Sequence, residues 1–400
     1  MKILLINVTC GRGSTGRIST DLADALIAGG HEVKIAYGRG EAPEKYRGIA
    51  VRIGPDTGVR LHALKARLFD AAGFGSRAAT KRFIKWIGEY DPDIIHLHNI
   101  HGYYLNVEEL FRYLASCGKK IVWTLHDCWA FTGHSANCLS ASCEKWADGC
   151  GACPKKAAYP KSFIDRSHRN WERKKALFTG VPDMELAVPS AWLKGLAERS
   201  FLGEYPVRLI PNGVDASVFR PTESGVKKEL GIEGKKLVLG AASVWNAEKG
   251  LEDMIGLRAL LDRDEYALAL VGLTKKQIRS LPEGVIGIER TDSVRALAGL
   301  YSAAEVFVNP TYDDNFPTTN LEALSCGTPV VTYATGGSPE AAGETAGAVV
   351  PTGDLAALAE RIKALAVPRE ACLKRAAEFT KERMTSAYLG VYFGNGGEAE

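Results

Sequence analysis

The sequence carries no surplus of charge and no long hydrophobic run, and each absence removes a class of protein. Lys and Arg number 50 against 47 Asp and Glu, a formal net charge of +3. A general nucleic-acid binder needs a basic face for phosphates, and this balance argues against one. No zinc-finger, basic-zipper or RNP-type signature argues for one. No stretch of about 18 or more apolar residues occurs, so the chain is not expected to span a membrane. A secretion signal is not expected either. The opening MKILLINVTCGRGSTG meets glycine and charge where a signal peptide would continue its apolar segment and cleavage site. It reads as a first core strand, and the expected location is the cytoplasm. Cysteine is sparse, nine in 400 residues, but unevenly spread. Cys128, Cys138, Cys143, Cys150 and Cys153 crowd together, while Cys10, Cys117, Cys326 and Cys372 stand singly and read as small buried hydrophobes.

Glycine, by contrast, is abundant at 42 residues, and 46% of the chain is hydrophobic. That composition suits an α/β protein with many tight strand-to-helix turns. The length fits two domains of roughly 180 to 200 residues each. KILLINV, a glycine-containing loop, an amphipathic stretch from about Thr15 to Ala28, and GGHEVKIAYG together make a βαβ unit. Apolar runs recur at 93–99, 120–127 and 184–190, with an irregular excursion across 130–170. The rhythm repeats in the second half at 207–215, 235–243, 266–272, 284–288, 306–310, 328–334 and 347–350. Runs of this kind mark parallel strands buried on both faces. The expected organisation is two Rossmann-like, doubly wound domains. The first covers 1–190 with a Cys-rich excursion at 128–153, and the second covers 191–378. A terminal helix over 379–400 is expected to pack back on the first domain and end in a frayed GNGGEAE tail.

The most informative run is TYDDNFPTTNLEALSCGTPVVTYATGGSPE, residues 311–340. An acidic loop precedes a helix that opens with Thr319, Asn320 and Glu322. A Cys-Gly turn then leads into a buried strand, which ends in a loop carrying Gly336, Gly337 and Glu340. Ligands of open α/β sheets bind at the carboxyl ends of the strands, where helix N-termini offer N–H groups to phosphate.

This run resembles the nucleotide-sugar site of the retaining glycosyltransferases of family 4, which have the two-domain GT-B architecture. The resemblance covers most of 205–365 and includes IPNGVD at 210–215. It implies two domains facing across a cleft, and transfer of a hexosyl-type sugar from a UDP- or GDP-linked donor with retention at the anomeric carbon. By it, Glu322 bonds the ribose hydroxyls, and Asp314 lies nearest the donor sugar at a position usually held by glutamate. Lys249, in SVWNAEKG, faces the diphosphate, and Val244 stands where the family usually has arginine. Catalysis without a metal or other cofactor is implied, as is a role in polysaccharide or cell-envelope synthesis.

In the first half, Gly11, Gly13 and Gly16 of GRGSTGR match the bare spacing of a dinucleotide-binding loop. The second strand ends AYGRG without the acidic ribose partner, so a dehydrogenase is disfavoured. The resemblance instead brings Ser14, Thr15 and Gly16 against the donor sugar or its phosphate. It also makes His126, just past KIVWTL, a partner for a sugar hydroxyl, alongside Asp127. His96, His98 and His101 in HLHNIH read as a polar rim that contacts acceptor or donor. Cys138, Cys143, Cys150 and Cys153 can form a structural zinc staple that organises an acceptor-side loop, or can stand unligated. Arg60, Lys65, Arg67, Arg77, Lys81, Arg82 and Lys85 face one acid, Asp70, among interspersed Leu, Phe, Ile and Trp. Residues 60–86 thus suit either a solvated helix face or attachment to an anionic membrane surface, where a lipid-linked acceptor would reside. A nucleotide-sugar epimerase or hydrolase of the same fold, and a binding module without activity, are the rival readings.

Overall fold

The computed structural model describes residues 1–137 and 141–394. The chain divides into two compact units, Met1–Ile210 with Thr385–Glu400, and Pro211–Met384.

The first unit runs β1 (Lys2–Asn7), α1 (Gly13–Ala28), β2 (Glu32–Tyr37), β3 (Ala50–Arg52), α2 (Asp56–Phe69), α3 (Arg77–Tyr90) and β4 (Ile94–Leu97). It continues through α4 (Val107–Leu114), β5 (Lys120–Thr124), α5 (Ser167–Phe178), β6 (Met184–Val188), α6 (Ala191–Arg199) and β7 (Val207–Leu209). The seven strands pair in parallel in the order β3-β2-β1-β4-β5-β6-β7. Ile3 to Ile6 of β1 are fully buried, as expected of a strand covered by helices on both faces. Helix starts are marked chemically: Asn106 Oδ1 accepts from Glu109 N at 3.0 Å and Ser190 Oγ from Leu193 N at 3.1 Å. Among the described residues, Leu125 to Arg166 carry no strand or α-helix, so the excursion in the sequence is an excursion in the fold.

The second unit holds α7 (Val226–Glu229), β8 (Lys236–Ala241), α8 (Leu251–Leu260), β9 (Tyr266–Val271), α9 (Lys275–Arg279), β10 (Val285–Ile288) and α10 (Val294–Ala303). After these come β11 (Val306–Asn309), α11 (Thr318–Ser325), β12 (Val330–Tyr333), α12 (Ser338–Ala342), β13 (Gly347–Val350), α13 (Leu355–Lys363) and α14 (Arg369–Ala376). Its six strands are also parallel, in the order β10-β9-β8-β11-β12-β13. The last helix, α15 (Lys381–Phe393), starts in this unit and ends in the first. Tyr392 Oη meets His96 Nδ1 at 2.5 Å, and Tyr388 Oη meets Thr124 Oγ1 at 2.9 Å, all four residues being buried.

Both sheets reverse their strand order at one point, between β1 and β4 and between β8 and β11. Crossovers leave these two points in opposite directions and open a crevice at the strands' carboxyl ends. The border between units falls at Ile210, later than the 190/191 boundary expected from the sequence, because β7 completes the first sheet. Strand β3 escaped the pattern reading because it is three half-buried residues, too short for any periodicity.

Two buried histidines make a testable contribution to stability. Burial drives the imidazole of His62 from 6.5 down to about 4 and that of His96 to about 3. Below pH 6.5 the unfolded chain therefore takes up these protons before the folded one does. Stability from these sites is complete above pH 6.5 and falls as pH drops towards 4, by up to about 1.4 kcal/mol per pH unit for each. Urea unfolding across this range is expected to show a shallower slope between pH 6.5 and 5 for His62→Gln than for the parent chain. Equal slopes would remove buried histidine as the cause.

Candidate active site

In the second unit, two loops leave the carboxyl ends of β8 and β11 and are tied together by backbone. Glu248 O accepts from Tyr312 N at 2.8 Å and from Thr311 Oγ1 at 3.3 Å. Gly250 sits at φ +68°, and a Cβ there would lie 2.1 Å from Pro310 O, so only glycine allows this approach. The result is a fixed placement of Lys249. Its Nζ lies 2.5 Å from Asp314 Oδ2 and 3.4 Å from Asp313 O, half-buried on both sides of the pair. Val244 is 66% exposed, so the loop presents an aliphatic side chain where arginine was expected by resemblance.

Glu322, on α11, is buried and accepts from Tyr301 Oη of α10 at 3.1 Å. Thr319 is half-buried in the first turn of the same helix, whose N-cap is Pro317 and has no side-chain cap. Asn320 is bonded on both sides by its neighbours. It is fully buried, its Oδ1 accepts from Asn309 Nδ2 at 2.8 Å, and its Nδ2 donates to Ser338 Oγ at 3.0 Å. Thr332 Oγ1 closes the same network, 2.7 Å from Ser338 Oγ and donating to Asn309 O at 2.8 Å. Asn320 therefore joins the ends of β11 and β12 to the start of α12, with Gly336 and Gly337 in the loop between them.

In the first unit the glycine-rich loop enters α1 at Gly13, two residues earlier than expected. Its N-cap, Arg12, makes no side-chain cap, and the first turn has no acid, which leaves an anion-compatible helix start. Ser14 is exposed, Thr15 half-buried and Gly16 buried. Asn7, the last residue of β1, donates from Nδ2 to Thr9 O at 2.9 Å and accepts Asn99 N at 3.3 Å, linking the loops after β1 and β4. A polar residue closing the apolar run KILLIN was the available signal for it.

Beside these loops, His98 Nδ1 and His126 Nε2 lie 3.1 Å apart. His101 Nε2 stands 2.7 Å from Asp127 Oδ2 and His101 Nδ1 3.1 Å from Tyr159 Oη. Burial lowers His126 to about 4 and His98 well below its usual range, so both are neutral hydrogen-bonding groups at pH 7. His96 is no rim residue. It is sealed between Thr124 and Tyr392 because it points off β4 into the layer covered by α15. His98 is likewise buried, at 1% exposure.

Of the cysteine cluster, Cys138 lies outside the described residues. Among the described residues no three His, Cys, Asp or Glu side chains group as metal ligands. Cys150 Sγ accepts from Gly133 N at 3.2 Å, and burial pushes the Cys153 thiol up to about 11. The tail from 395 onward is also outside the described residues.

Two parallel doubly wound sheets, each with polar side chains at its point of strand reversal, define a glycosyltransferase of the GT-B architecture when set beside known proteins. The structure matches sucrose-phosphate synthase from Thermosynechococcus elongatus with a TM-score of 0.74 and 20% identity, over 98% of each chain. It matches Anabaena HepE in complex with UDP at 0.70 and 16%, over 98% of this chain and 100% of that one. In sequence it is 25% identical over 344 residues to the putative colanic acid biosynthesis glycosyl transferase WcaC of Escherichia coli (strain K12), covering 83% of this chain and 82% of that protein. Residues 15–218 match the description Glycosyltransferase Family 4 and residues 235–367 match Glycosyl transferases group 1. The chain belongs to glycosyltransferase family 4.

The buried network around Asn320 separates framework from ligand contact. Asn320→Leu leaves Asn309 and Ser338 without their buried partner and is expected to lower unfolding free energy by about 2–3 kcal/mol in urea titrations. Donor affinity should change little in the folded fraction. A large loss of donor affinity at unchanged stability would reverse the assignment.

Proposed function

We propose that this transferase moves a hexosyl-type sugar from a UDP- or GDP-sugar to a glycan or lipid-linked acceptor, with retention, in the assembly of a cell-envelope or exported polysaccharide. One observation carries the reading: Lys249 is held beside Asp314 on the two loops that flank the point of strand reversal in the second unit. A cation at that crevice suits a diphosphate, and the neighbouring carboxylate suits sugar hydroxyls. Glu322, buried next to Tyr301, is the group for the ribose. Ser14, Thr15 and Gly16 at the start of α1 supply N–H and hydroxyl donors, and neutral His126 bonds a hydroxyl of the donor sugar. The UDP complex of HepE and the name of WcaC support the donor class and the pathway class respectively.

In this mechanism the bond from the anomeric carbon to the diphosphate oxygen breaks as the acceptor oxygen bonds the same carbon on the same face. The acceptor proton passes to the departing phosphate oxygen. Lys249 and the helix N–H groups stabilise the charge that develops there, so the step uses no divalent cation. The four cysteines, if they bind zinc, hold the irregular loop and take no part in transfer.

The expected site of action is the cytoplasmic face of the membrane, with residues 60–86 as the attachment surface. Among the described residues no helix is long and apolar enough to cross a membrane. Leu61, Leu64 and Leu68 of α2 are 67%, 53% and 40% exposed, which supports a peripheral attachment.

The purified chain should transfer sugar from one donor in a UDP- and GDP-sugar panel, with or without EDTA, to give product of unchanged anomeric configuration by NMR. Lys249→Ala should reduce kcat/KM by about 100-fold to 1000-fold. Loss of transfer in EDTA, inversion of configuration, or release of free sugar in place of transfer would each refute a part of the reading.

A further inference from the structure

A groove of about 640 Å³ lies wholly within the first unit, among α2, α3, α4 and α5. Lys65, Arg77, Arg82, Arg112 and Arg173 line it, against one carboxylate, Glu108. That carboxylate is already shared between Arg112 Nη2 at 2.5 Å and Arg173 Nη2 at 3.0 Å. Arg173 is further fixed over the Phe74 ring, 3.6 Å from its centre. Lys65 Nζ spends one of its three N–H donors on Phe74 O at 3.2 Å.

Two helix starts open onto the same groove. Thr57 and Gly58 belong to the first turn of α2, and Arg77, Ala78 and Ala79 to that of α3, and all five line it. Neither helix has a side-chain cap. Pro55 has no capping group, and Ser76 Oγ is turned away, donating to Tyr103 O at 3.1 Å. His62 imposes that arrangement. Its Nε2 accepts from Gly75 N at 2.9 Å, which leaves Nδ1 to donate to Ser76 Oγ at 3.0 Å. A Cβ on Gly75 would lie 2.3 Å from the His62 ring, so the close approach depends on glycine. Asp56, in the first turn of α2, is paired with Arg52. Arg77 Nε is paired with Glu109 Oε1 at 2.5 Å, so two carboxylates offset part of the charge of the five cations. Two uncapped 14-residue helices and a lining that stays net positive thus converge on one space, which is the chemistry of a phosphate site.

The lip of the groove is apolar. Leu61 lines it and begins the exposed ridge that continues along α2 through Leu64 and Leu68 to Phe69. Phe163 and Ile164, 59% and 37% exposed, extend the ridge, since Phe163 N donates to Arg67 O at the end of the helix. Arg67 and Arg166 lie over the Phe163 and Phe69 rings. A site for a soluble phosphate has no use for such a border, whereas a bilayer surface supplies both phosphate and hydrocarbon.

We propose that this groove receives the phosphate of an anionic phospholipid headgroup while the Leu61–Leu64–Leu68 ridge enters the acyl boundary. The inference rests on the peripheral attachment proposed above and adds a defined headgroup site to it. The test is cosedimentation of the full chain with vesicles of equal parts phosphatidylglycerol and phosphatidylcholine, and with phosphatidylcholine vesicles alone. Wild type should bind the first at least tenfold better. Arg82→Glu combined with Lys65→Glu, both exposed positions, should remove that preference. Leu64→Asn with Leu68→Asn should weaken binding to both vesicles. UDP-sugar binding should be unchanged in both variants, which verifies the fold and separates this site from the donor site. Undiminished preference for the anionic vesicles in the double charge reversal would overturn the groove while leaving peripheral attachment intact. No vesicle binding by wild type would overturn both. Saturable binding of inorganic pyrophosphate that vesicles do not compete away would make the groove a soluble-ligand site and overturn the proposal.

Discussion

A parallel strand covered by helices on both faces leaves its polar side chains one place to go, which is beyond its carboxyl end. The whole arrangement of this protein depends on that constraint. Ile3 to Ile6 exclude water completely, and the first polar residue, Asn7, falls where the strand stops and immediately bonds two loops. Asn309 does the same at the end of β11 through Asn320. Each sheet reverses at these very strands, so the polar groups of both units collect where the crossovers diverge. The chemistry is a consequence of the packing.

The loops at these ends are not loosely hung. In the second unit, Glu248 O holds the 311–314 loop, and the Gly250 approach to Pro310 O sets the distance between the two. Lys249 and Asp314 meet where the backbone beside them, at Glu248 and Tyr312, is already bonded. Preorganisation of this kind is what allows a charge to act on a departing group without moving first. The first unit works differently: His98 and His126 are buried enough to be neutral, so they contribute direction to hydrogen bonds and no net charge.

Much of this was legible in the sequence. The strands announced themselves as apolar runs, and the run at 311–340 resembled a family that the comparisons then matched to the chain. What was hidden had physical reasons. Strand β3 is too short to show a period, and the unit border shifted because edge strand β7 is half exposed and carries little apolar signal. The bonds of Asn320 to Asn309 and Ser338 were hidden because nothing in a sequence says which way a buried amide points. His96 and His98 alternate in sequence with apolar residues, but the alternation gives a face and not its exposure. Only the arrival of α15 over that face decided that His96 is interior.

That arrival has a consequence for the order in which the protein can be made. Tyr392 is 296 positions from His96, and Tyr388 is 264 from Thr124, yet each pair is buried within the first unit. As the chain emerges from the ribosome, Met1–Ile210 waits for partners that are translated after the whole of the second unit. Domains ordinarily fold in the order of synthesis. Here the first unit cannot close before the second has been synthesised, and His96 and Thr124 lack their partners until α15 is released.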